Sequence, residues 1–296
     1  MRSAFGFVLY AALTAAAESG VPVEVLRPDG FIDFPAEAGA RMVAFRTSGE
    51  RLYALIATRT RAELIRLERD GTGLNRIDVP QRTADFAISG DGEVTVLVSG
   101  RGRDASAVAG PFFSTARPYT ELRVSRATYR LSVLADRVVA LHDAIAEPLD
   151  RTIETRDGLA RIAAGPLLRS APMPDGSIAF VSTRGVSLRV LRPNRQWTGL
   201  VPLAAPEILS EEELGETGVA VAGIGVHPQG DVFCAVSPYS PAEGARVLRF
   251  DSAGKLKARL RLAIPGGMPA GHLAFVGSRL YAGSPAGRLA YFDLRE

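Results

Sequence analysis

The stretch VHPQGDVFCAV, residues 226–236, places His227, Asp231 and Cys234, the single cysteine of the chain, within eight positions. Imidazole, carboxylate and thiol are the groups from which metal centres and thiol nucleophiles are built. A zinc centre needs three or four converging ligands, and a thiolate needs an activating base. Neither accompanies these residues, so they are read as the turn and strand of a repeated unit, with Cys234 in its packing. His142 and Asp143 are adjacent on a strand end, where neighbouring side chains point apart. No G-x-S-x-G elbow or positioned Ser/His/Asp set is present. No metal ligands, catalytic residues or cofactor are assigned.

The segment has five relatives. They are FRTSGERLYALI (45–56), AISGDGEVTVLV (87–98), SVLADRVVALH (132–142), PMPDGSIAFVS (172–182) and AFVGSRLYAG (274–283). Each has a turn rich in Gly, Asp or Ser and then a strand that is apolar on both faces. The first apolar residues after the turns are Leu52, Val94, Val138, Ile178, Val232 and Leu280, a mean spacing of about 46 residues. Several units continue into a second hairpin, as in ELIRLERDGTG (63–73), SLRVLRPNRQ (187–196) and RVLRFDSAGK (246–255). Four short antiparallel strands per 40–50 residues are the signature of propeller blades, whose central strands are covered on both faces.

The expected fold is therefore an all-β, six-bladed β-propeller of four-stranded antiparallel blades. Blades are expected near 42–80, 84–128, 130–168, 171–204, 219–265 and 272–296, the last closed by an N-terminal strand from 21–36. FIDFPAEAGARMVAF (31–45) parallels RIDVPQRTADFAI (76–88), which supports that closure. Without it the last blade has a bare edge. The chain resembles the six-bladed NHL, TolB-like and SMP-30/gluconolactonase propellers over residues 21–296, best in VLRFDSAGKLKARLRL (247–262). The resemblance implies a fold and not an activity. The lactonase branch binds a divalent metal through Glu, Asn and Asp. The two asparagines here, Asn75 and Asn194, fall in outer hairpins, so no metal site is carried over.

In such a ring, the loops from second to third strands gather on the face of the central channel. Those loops hold Arg59, Arg61, Arg101, Arg103, Arg184 and Arg288, with His142 and Tyr239, while His272 leads into the last inner strand. Guanidinium forks suit carboxylates and phosphates. Surface loops of an arginine-rich chain also carry arginine by default, and here 33 of 35 Lys and Arg residues are arginine. Residues 104–120, with exposed-looking Phe112, Phe113 and Tyr119, and residues 205–218, with a Ser210/Glu213 capping box and an acidic helix, interrupt the repeat. Both are expected on the channel face.

The formal charge of +3 carries no dense basic stripe with aromatics, so nucleic acid is not the expected partner. MRSAFGFVLYAALTAAAES has one basic residue, an uncharged run from Ala4 to Ala17 and a small-residue cleavage pattern. Residues 1–17 read as a secretion signal, with 18–296 as the exported domain, periplasmic or secreted. No integral membrane segment is expected after cleavage, and one cysteine allows no internal disulfide. The function expected is noncatalytic binding of a protein partner or small anionic ligand at the channel face. The alternative is a lactonase- or esterase-like hydrolase with a site in the channel.

Overall fold

The computed structural model describes residues 21–34, 39–99, 105–110, 112–113, 120–124, 128–142, 152–153, 160–163, 168–182, 187–203, 221–240, 244–264, 271–284 and 286–294. Apolar runs punctuated by Gly, Asp and Ser turns make strands, and their pairing builds small sheets. The first two strands, β1 (Val23–Leu26) and β2 (Gly30–Asp33), precede the repeat. One sheet holds β3 (Arg41–Ser48), β4 (Arg51–Ala57), β5 (Ala62–Glu68) and β6 (Asn75–Val79). The next holds β7 (Thr83–Ile88), β8 (Val94–Ser99), β9 (Ala105–Gly110) and β10 (Thr120–Arg123). A third contains β11 (Thr128–Leu134), β12 (Arg137–His142), β13 (Thr152–Ile153) and β14 (Ala160–Ala163).

A fourth contains β15 (Leu168–Pro172), β16 (Ile178–Ser182), β17 (Ser187–Leu191) and β18 (Val201–Pro202). The strands β19 (Val221–Val226), β20 (Val232–Ser240), β21 (Gly244–Phe250) and β22 (Leu256–Leu262) pair in order, with β1 added beside β22. Finally β23 (His272–Val276), β24 (Arg279–Gly283) and β25 (Arg288–Asp293) pair in order, with β2 beside β25. The architecture is an all-β propeller of small, mainly antiparallel sheets. Its inner strands contact one another in a cycle, β3 to β7, β11, β15, β19, β23 and back to β3.

The core lies between the sheets. Leu55, Leu64 and Tyr53 of one sheet pack with Phe86, Val94 and Val96 of the next. On the other side Phe45, Leu52 and Ile65 meet Tyr281 and Leu289. Second strands are therefore buried on both faces, as their continuous apolar runs require. Leu52, Val94, Val138, Ile178, Val232 and Leu280 occupy equivalent places, each paired with the inner strand beside the turn. Turns approach neighbouring sheets closely. A Cβ on Gly254, which has φ +77°, would lie 2.5 Å from the Pro202 carbonyl oxygen, so only glycine fits there.

Three expectations are corrected. The third sheet is not a simple meander. After β12 the chain reaches the outer edge as β13 and returns inward as β14, which therefore runs parallel to β12. The segment 21–34 supplies strands to two sheets, because β1 adds parallel to β22 and β2 adds antiparallel to β25. Within residues 104–120, the described aromatics belong to the connection between third and fourth strands. Phe112 is buried, and both Phe112 and Phe113 pack with the Tyr53 cluster, beside turns 48–51 and 90–92 opposite the channel mouth. The acidic segment 205–218 lies outside the described residues.

Candidate functional site

Strand pairing assigns a common level around the ring. The inner-strand residues paired with the position three beyond each equivalent apolar residue are Ala44, Asp85, Arg130, Arg169, Gly223 and His272. This level is a polar layer at the end of the ring where the second strands finish and their connections to the next strands begin. In β3, β7, β11 and β19 the register shifts just before it, at Met42/Ala44, Thr83/Asp85, Thr128/Arg130 and Val221/Gly223. Such bulges re-aim the next side chain and recur beside functional sites.

Arg46 lies two residues deeper than Ala44 on β3. Its Nη2 donates to Asp85 Oδ1 at 3.0 Å, and its guanidinium stands 5.8 Å from the Phe86 ring centroid. The other Asp85 oxygen accepts the Leu131 backbone N–H at 2.8 Å. One carboxylate thus ties three successive inner strands together. Its side chain is 5 % exposed, against 24 % for Arg46. Beneath the layer the inner strands line cavities of about 90 and 40 Å³. Their walls come from the inner strands alone, including Thr47, Ser132 and Ser170.

The electrostatics is dominated by positive charge. Burial lowers the Arg46 pKa, Asp85 opposes that shift, and Arg130 adds to it. Arg169 is lowered by burial and then by Arg130. Among the described residues neither Arg130 nor Arg169 has a carboxylate partner; Arg169 Nε donates to the Val221 carbonyl at 3.4 Å. His272 is pushed down to about 4, first by burial and then by Arg46 and Arg130. Its imidazole is neutral near pH 7. As pH falls from ~6.5, the ordinary histidine value, to about 4, the unfolded chain takes up a proton that folded His272 refuses. Stability is expected to fall through that window. Urea midpoints measured between pH 7 and pH 4 should show a shallower slope for His272→Gln, and an unchanged slope would exclude this assignment.

The loop candidates fare differently. Arg59 is exposed, and its carbonyl accepts from Gln81 Nε2 at 2.7 Å. Arg61 is paired with Asp78 at 2.6 Å and Glu63 at 3.1 Å, and Arg288 is paired with Asp33 at 2.7 Å. These last two are neutralised by their own strand neighbours. Arg101, Arg103 and Arg184 lie outside the described residues. His142 is buried at the end of β12, opposite Thr128. Tyr239 lies on β20, which extends to Ser240, and not in a loop. Of the described candidates, His272 alone is placed in the polar layer. Asp85, Arg130 and Arg169 are not among the loop candidates because they lie within the inner strands, and these strands carry the charge of the layer.

His227 sits in a strand turn with its ring edge on Phe275 at 5.2 Å, and its Nδ1 accepts the Gln229 N–H. Asp231 pairs with Arg249 at 2.6 Å. Cys234 is buried between sheets, and burial pushes its thiol up to about 12. The native protein is expected to resist a maleimide at pH 7.5 and to react stoichiometrically in 6 M guanidinium. Rapid native labelling would contradict this placement. No group of three or more His, Cys, Asp or Glu side chains suited to a metal occurs among the described residues. Nor does a helix long and apolar enough to cross a membrane occur among them.

No family model matches the sequence, and no curated protein sequence matches it. Solved structures similar to it include a streptogramin B lyase, 12% identical, with 90% of this chain and 87% of that chain covered at a TM-score of 0.54. A virginiamycin B lyase from Staphylococcus aureus is 10% identical, with 90% and 88% covered and a TM-score of 0.53. A protein of unknown function from Bacteroides thetaiotaomicron is 10% identical, with 90% and 73% covered and a TM-score of 0.55. At these identities the likeness shows the β-propeller fold and carries no residue or activity across.

Proposed function

We propose that this chain is a six-bladed propeller, closed at its outer edge by β2, that binds an anionic group in its central channel without chemical conversion. The observation that carries the reading is the polar layer itself. Arg130 and Arg169 stand at one level on neighbouring inner strands, without carboxylate partners among the described residues. Partly desolvated guanidiniums bind carboxylates and phosphates through short, charge-assisted hydrogen bonds. Six sheets and a closed cycle of inner strands support the blade number. Export to the periplasm or medium belongs to the same proposal and rests on the sequence of residues 1–17 alone.

The test is a melting-temperature screen with phenyl phosphate, phenyl sulfate and benzoate, followed by calorimetric titration of those that stabilise the protein. The Arg130→Ala/Arg169→Ala variant is expected to lose binding roughly 100-fold or more, each charge-assisted contact contributing ~1.5–3 kcal/mol. Binding to the parent protein should weaken as salt rises, since attraction beyond ~10 Å is screened at moderate ionic strength. A variant that binds all three anions like the parent protein defeats the reading.

His272 supports a second reading, an enzyme with its site in the same channel. A neutral imidazole beside guanidiniums can donate its N–H to developing negative charge that the arginines also stabilise. Under that reading His272→Gln keeps ligand affinity but loses turnover. Under the binding reading no turnover exists to lose.

A further inference from the structure

We infer that the channel layer selects a compact dianion of the phosphate-monoester kind, held between Arg130 and Arg169. The inference rests on the anion-binding reading above and narrows it to a ligand class. Charge balance is its first support. Among the described residues, the ionisable groups that act on one another at this level are Arg46, Asp85, Arg130, Arg169 and His272, with Tyr129 acting on Arg169 from the core between sheets. Arg46 is matched by Asp85 at 3.0 Å, and His272 is neutral, so two guanidinium charges are left without a counterpart among the described residues.

Geometry is the second support. Arg130 and Arg169 occupy one level on β11 and β15, which touch, so one small group between them can meet both. The Arg46–Asp85 pair lies at and just below this level, and deeper in the ring the described inner strands line cavities of about 90 and 40 Å³, too small for more than a few atoms. That floor admits a charged head and leaves the rest of a ligand toward the mouth. Across the ring from Arg169 the layer carries Ala44, and across from Asp85 it carries Gly223, so side-chain bulk is least on those sides. Two charges on one tetrahedral group match two neighbouring forks, whereas a dicarboxylate spreads its charges over a longer frame.

A phosphate monoester gains its second charge near pH ~6, and a sulfate monoester carries one charge throughout. Affinities of phenyl phosphate and phenyl sulfate for the full chain are to be measured by calorimetry from pH 5 to pH 8. Phenyl phosphate is expected to bind about tenfold or more tightly at pH 8 than at pH 5, because the second charge meets two guanidiniums in a partly desolvated site. Phenyl sulfate should stay flat, which controls for any titration of the protein itself. Arg169→Lys should lessen the phosphate preference while retaining single-charge binding, since lysine keeps the charge but loses the fork. Equal, pH-independent affinity for both esters overturns the dianion inference and leaves the anion-binding reading intact. Tighter binding of succinate than of phenyl phosphate also overturns it, in favour of a dicarboxylate. If no anion binds, the underlying reading fails with it.

Discussion

A chain lacking residues 21–34 is expected to show no cooperative unfolding transition, or one so low that the protein is not recovered folded. This segment supplies outer strands to two sheets. Ile32 and Phe34 are buried, with Phe34 edge-on to Phe45 at 6.4 Å, and Phe34 N–H donates to the Gly287 carbonyl at 2.9 Å. Asp29 is tied in at both ends: its N–H donates to the Tyr291 carbonyl, and its carboxylate accepts the Asp293 N–H. Burying two such side chains contributes roughly 1.5–3 kcal/mol each, before the ladder bonds and the newly bared edge of β25 are counted. The total approaches the ~5–15 kcal/mol that holds a whole domain together. Point variants separate packing from mere length. Phe34→Ala should cost ~3–5 kcal/mol, whereas Val25→Ala, at a side chain exposed on β1, should cost almost nothing. A truncated chain melting at the parent temperature, measured by circular dichroism, would rule out closure by this segment.

Asp85→Ala is expected to lower stability by about 3 kcal/mol, the range for stripping one partner from a buried ion pair. Two groups lose a partner at once: the Arg46 guanidinium loses its counter-charge, keeping only the Phe45 carbonyl on Nη1, and the Leu131 N–H loses its acceptor. The melting temperature should drop by roughly 6–12 °C, at ~2–4 °C per kcal/mol for a chain of this order of size. Asp85→Asn keeps an acceptor for Leu131 and should cost less. Pairing Asp85→Asn with Arg46→Met removes both charges and should recover part of the loss, because the penalty comes from an uncompensated charge. If the double variant is no more stable than the sum of the single changes predicts, Asp85 and Arg46 are not coupled and the carboxylate is not the tie between β3, β7 and β11.

Much of the architecture was legible in the chain itself. Turns such as SGDG and HPQG followed by doubly apolar strands identified the repeat, because burial on both faces leaves its mark residue by residue. The structural role of His227 and Cys234 followed from the same repetition, and so did the equivalence of Leu52, Val94, Val138, Ile178, Val232 and Leu280. The tertiary structure alone decided which side chains meet. The turns hold four residues in three units and five in the other three, and bulges at Met42/Ala44, Thr83/Asp85, Thr128/Arg130 and Val221/Gly223 shift the count again. Counting along the chain therefore does not align Asp85, Arg130, Arg169 and His272, while strand pairing does. The partition of residues 21–34 between two sheets was equally hidden, since VEVL and GFID suit any free edge. Strand formation and burial are local preferences, written in neighbouring residues. Ring closure joins Thr47 to Phe275, 228 positions apart, and contacts that distant are settled only when the whole chain packs.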